Sequence, residues 1–143
     1  MIYWMRNVLA YLVCAIAAEA TARWLGSSVV SETLIPNLTA TVIALLAINI
    51  QTTAVIAVKL RELADRTTST FGGTLKQFRL AIYEQTALVI ASFAVSAVVK
   101  SPFVAEYSLL INVSALFILF ASLHIFLDTS NGLLVALFPE HRE

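Results

Sequence analysis

Residues 33–58 read TLIPNLTATVIALLAINIQTTAVIAV, 26 positions without a charge. As an α-helix rising 1.5 Å per residue this run is about 39 Å long, enough to cross a hydrocarbon core about 30 Å thick. A soluble surface helix of that length carries a charged face, and this one has none. Three further apolar stretches accompany it. The expected fold is all-α: a four-transmembrane-helix bundle in a lipid bilayer, with spans near 2–24, 36–58, 80–99 and 107–127. Together they make one integral membrane domain over 1–143.

Composition agrees. Only 13% of the residues are charged, against about 25% in a typical soluble domain, and mean hydropathy is +0.87. The formal net charge is zero, so the basic field that a nucleic-acid partner requires is missing. Four spans and their turns consume the chain and leave no room for a soluble catalytic domain. Arg6 and the apolar residues 8–18 imitate a secretory leader. Apolar segments continue throughout, however, which favours an uncleaved first span. Cys14 is the only cysteine, so no internal disulfide can form, and its apolar setting suits a small packing residue. Intramembrane hydrolysis needs a nucleophile–base or metal constellation, which one cysteine and two dispersed histidines do not supply. No enzymatic activity, metal or cofactor is expected.

The informative residues are polar groups inside apolar spans, each of which needs a partner or a wet cavity. In the first span Ala10, Cys14, Ala18 and Ala22 repeat every four residues, and Trp4 and Trp24 suit the two interfaces. Glu19 and Arg23 lie four apart, either as a pair on one face or with Glu19 turned to a cavity or a transported cation. In the second span Pro36 suits a helix start, and Ala40, Ala44, Ala47, Gln51 and Ala54 share a face. Asn49 is deep by count, as helix glue or as a cavity lining. The third span opens with Glu84 and Gln85. Glu84 is only about 6 Å in if the helix begins at Leu80, and deeper if it begins earlier. The fourth span carries Asn112 near one end and His124 near the other. Asp128, four residues on, is placed to orient the imidazole, either as a solvated interfacial histidine or in a proton-sensitive gate. Residues 133–138 follow Asn131 and Gly132, are too short to span, and read as a short C-terminal interfacial helix stopped by Pro139.

Five of the nine Lys/Arg residues fall in the central connection, 59–79. The positive-inside rule puts this connection and both termini in the cytoplasm, giving a multi-pass protein of the cell membrane, most simply a bacterial inner membrane. Gln51, Glu84, Gln85, His124 and Asp128 then share the cytoplasmic half, while Glu19 and Asn112 occupy the outer half. Arg61, Glu62, Asp65 and Arg66 offer a docking surface for a soluble cytoplasmic partner.

The segment CAIAAEATARWL around Glu19 resembles the first-helix carboxylate segment of small multidrug-resistance transporters. That resemblance implies a glutamate taking protons and cationic substrates in turn; Glu19, with Asn112 in the same outer half, is the alternative transport site. The chain departs from that pattern in its length, its charged central connection and its carboxyl extension. The residues themselves favour a homo-oligomeric gated channel or pore, compatible with a stress or defence effector. In it Glu84, Gln85, Gln51, Asn49, His124 and Asp128 form a polar cluster at the cytoplasmic mouth. A scaffold subunit of a larger membrane complex is the third expectation.

Overall fold

The computed structural model of the chain describes residues 2–67, 71–101 and 107–137. The side chains of 2–4 and of Arg66 lie outside the described set, as do Pro102, Glu106, Pro139 and the tail from 140. Every long element is helical: α1 is Ile2–Trp24, α2 is Ile35–Thr67, α3 is Gly72–Val99 and α4 is Ser108–Leu137. All four contain a stretch long and apolar enough to cross a membrane, yet only 11–39% of those stretches is buried within the bundle. Leu9, Val13, Ile16, Ile90, Phe93 and Leu110 are all more than half exposed. Apolar surface on this scale, on every helix, requires lipid to cover it. The chain is a multi-pass, all-α membrane protein.

The turn after α1 is set by Gly26. Its φ of +63° is the left-handed conformation that a Cβ disfavours. With it, the Gly26 N–H reaches the Arg23 carbonyl at 3.0 Å and the Ser27 N–H reaches that of Ala22 at 2.8 Å. These two bonds close the helix end in a Schellman motif. The chain then re-enters helix sooner than expected. Val30–Leu34 forms a π-helical turn that runs straight into α2, with the Ile35 N–H bonded to the Val30 carbonyl. Pro36 accounts for the wider turn. It offers no N–H, and its ring would strike the carbonyl four residues back in a regular helix.

The helices run up, down, up, down, and α4 is the hub. It packs against each of the other three, α2 and α3 also pack together, and α1 rests chiefly on α4. The main core joins Leu38 and Val42 of α2 to Ile111, Ala115 and Ile118 of α4, with Leu88, Val89 and Val95 of α3 against them. A second core seats Ala15 of α1 against Leu116 and Val30, flanked by Ala18, Ala22 and Phe117.

Two boundaries and one packing face differ from expectation, each for a physical reason. Residues 59–79 are mostly helix: α2 is 33 residues long, about 50 Å, and overruns the hydrocarbon core. Its end, with Lys59, Arg61, Glu62 and Asp65, defines the charged end of the bundle. Secondly, no separate helix begins after Gly132, because α4 continues through it to Leu137. Gly132 serves close approach instead of a turn; a Cβ there would stand 3.4 Å from the Phe78 ring. Thirdly, the row of small residues on α1 does not pack as a unit. Ala15 is fully buried while Cys14 is exposed, so Cys14 faces outward. A four-residue repeat advances 400° per step and drifts off a 3.6-residue face.

Candidate functional site

The polar residues separate into three places. At the end of the bundle near Gly26, Glu19 is 2% exposed and lies between α1 and α4. Its Oε1 accepts from Arg23 Nε at 2.8 Å and from Asn112 Nδ2 at 2.9 Å. Arg23 Nη2 also reaches Ser108 Oγ at 3.5 Å. Glu19 Oε2 is buried without a partner among the described residues. Glu19 and Asn112 are therefore brought together, as a buried polar tie between α1 and α4.

In the middle, Asn49 of α2 and Gln85 of α3 are both buried, and Asn49 Nδ2 donates to Gln85 Oε1. This bond joins α2 to α3, as does the Thr39–Ser96 hydroxyl contact of 3.2 Å nearer the other end. Gln51, two residues beyond Asn49, is exposed on the opposite side of α2. Successive helical residues turn by about 100°, so a two-residue offset reverses the face. Ala40, Ala44, Ala47 and Ala54 share that outward face with Gln51, and all are exposed.

At the charged end Glu84 turns away from Gln85 into a cleft of about 360 Å³ between α1, α3 and α4. His124 and Asp128 of α4 line the same cleft, and α1 contributes Asn7 and Tyr11. The Tyr11 ring lies 5.4 Å from that of His124 and 6.1 Å from that of Phe117. The Glu84 and Asp128 carboxyl groups line the cleft together with Tyr11. Neither carboxylate has a hydrogen bond or ion pair among the described residues. Phe117, Leu88, Ala87 and Ala121 form the apolar inner part of the cleft. Two acceptors with no Lys or Arg among the described lining residues favour a cation, and the aromatic shelf adds a face on which a cation can rest.

Of the six residues expected to form one cluster, then, Glu84, His124 and Asp128 share a cleft. Asn49 and Gln85 form a separate buried pair, and Gln51 stands outside. Asn7 and Tyr11 escaped the sequence reading. Their signal was the four-residue spacing of two hydrogen-bonding side chains on an apolar helix. Of the candidate docking residues, Arg61, Glu62 and Asp65 are exposed on the overhanging end of α2, with Lys59 Nζ 2.8 Å from Glu62 Oε2. Among the described residues no three His, Cys, Asp or Glu side chains group to hold a metal ion.

The chain matches no family model, no curated protein and no solved structure. The resemblance around Glu19 thus rests on those dozen residues alone, and function has to be argued from the site.

Proposed function

We propose that the protein is a homo-oligomeric cation channel of the cell membrane, with Glu84, His124 and Asp128 as its cytoplasmic mouth. The observation that carries this reading is the convergence of these three groups in one cleft, with both carboxylates unpaired among the described residues. The excess of Lys and Arg in residues 59–79 supports placing that end in the cytoplasm. Past Glu84 the cleft lining becomes apolar at Leu88, Phe117 and Ala121, a section of the kind that gates by dewetting. His124, one helical turn from Asp128, adds an imidazole to the same mouth.

The outward face of α2 supports assembly. An amide exposed towards lipid is costly, and a small-residue face lets another helix come close. Asn49 pairs with Gln85 across antiparallel helices, so Gln51 stands within about 1.5 Å of the level of Glu84 along the bundle axis. Rotation about the membrane normal preserves level. A ring of copies can thus lay the Gln51 face of one protomer over the Glu84 cleft of the next, closing a heterologous interface into a circle. Gln51 and Glu84 then share one lining after all, between copies.

Reconstitution into planar bilayers tests the reading. Cation-selective currents are expected, and Glu84→Gln should lower both conductance and cation preference. Silence over a wide range of voltage and pH would overturn the channel, and unchanged selectivity in Glu84→Gln would remove Glu84 from it.

A further inference from the structure

A second space, of about 490 Å³, opens among α2, α3 and α4 at the charged end, with Thr74, Gln77, Phe78 and Asn131 in its wall. Both spaces are many times the roughly 30 Å³ that a liquid water occupies. They share two lining residues, Ala81 of α3 and Asp128 of α4. The pattern along each helix explains why both spaces border the α3–α4 seam. Thr74, Gln77, Ala81 and Glu84 recur at spacings of three and four, so they form one stripe up α3. Asn131, Asp128 and His124 form the matching stripe up α4 by the same spacing. All seven line one or both spaces. Nearer the charged end, Phe78 of α3 packs on Gly132 of α4. One turn further in, Ala81 of α3 and the exposed Asp128 of α4 are the residues common to both linings, with Thr129, next in sequence, buried.

We propose that Ala81 and Asp128 form a neck between these spaces, through which water and small monovalent cations pass from the charged end to Glu84. Ala81 sets the bore and Asp128 sets the preference for positive charge. The identity of the cargo rests on the channel reading above; the passage itself does not.

Thiol accessibility in liposomes tests the passage without needing a current. Cys14→Ser removes the only cysteine. Ala87→Cys then places a thiol in the cleft beyond Glu84, and Lys59→Cys, made separately, marks which face the reagent reaches. A methanethiosulfonate carrying trimethylammonium should modify position 87 from the Lys59 face. It should do so about tenfold or more faster than its sulfonate counterpart, the range expected of a charged cleft. Ala81→Phe should slow both reagents by about tenfold or more, as a bulky ring in a constriction does. Asp128→Asn should narrow the cation-over-anion ratio. An unchanged rate in Ala81→Phe, or no modification from the face on which Lys59→Cys reacts, overturns the neck. Should Ala81→Phe fail to assemble, Asp128→Lys decides: reversed reagent preference supports the neck and an unaltered preference rejects it. Position 87 labelled through the neck in a protein that carries no current would leave the passage standing and remove only the channel. Current with labelling indifferent to Ala81 and Asp128 would do the reverse.

Discussion

Removing Asn112 should loosen α1 from the rest of the bundle, because α1 rests chiefly on α4 and this amide donates to the carboxylate buried between them. In Asn112→Ala, Glu19 keeps Arg23 but loses a 2.9 Å donor at a site 2% exposed. Leaving a buried polar group short of a partner costs about 1–3 kcal/mol in water-soluble proteins. Between membrane helices a side-chain hydrogen bond averages about 0.6 kcal/mol and reaches about 1.7 kcal/mol. A double-mutant cycle of Glu19→Ala and Asn112→Ala removes the packing terms common to both. It should return a coupling of about 0.6–1.7 kcal/mol, or about threefold to sixteenfold in the equilibrium. The reporter is built in, since both tryptophans, Trp4 and Trp24, lie on α1. Their fluorescence during titration with a denaturing detergent follows α1, while circular dichroism follows the whole bundle. The expected result is an α1 transition that moves to lower detergent in each single variant, with the double variant less affected than the sum. A coupling under about 0.3 kcal/mol, within the usual error of additivity, would refute the tie.

Two further outcomes follow from the packing. At Gly132 an added methyl meets Phe78 at 3.4 Å, close to ordinary contact, so Gly132→Ala should hold or raise thermal stability through about 1 kcal/mol of helix propensity. Gly132→Leu should lower stability by about 1–3 kcal/mol through overpacking, and detergent-resistant melting curves distinguish the two. For the buried amides, Asn49→Leu alone strands Gln85 and should cost about 1–3 kcal/mol, whereas Asn49→Leu with Gln85→Leu should be close to neutral. A double variant as unstable as the single one would show that the pair does more than the one hydrogen bond between its amides.

The four spans were legible because hydropathy follows directly from side-chain chemistry and the bilayer sets a minimum length. The helix ends were not, because α2 and α3 continue past the lipid in sequence as polar as a loop. Depth along the axis could also be counted: Glu84, His124 and Asp128 were placed at one end by residue number alone, and they do line one cleft. Rotation about each axis was the harder quantity. Asn49 and Gln51 are two residues apart and face opposite ways, and Cys14 sits beside Ala15 yet points outward. The lateral order of helices is absent from any single segment. Without knowing that α1 lies against α4, nothing marks Tyr11 as a neighbour of His124.

The tie at Glu19 also bears on how the chain is made. Asn112 lies 93 residues after Glu19, so α1 leaves the ribosome long before that partner exists. Arg23, four residues away on the same helix, arrives almost at once and can pair with the carboxylate. This local ion pair gives the first helix an escort for its acid while it waits in lipid for the last helix to be synthesised.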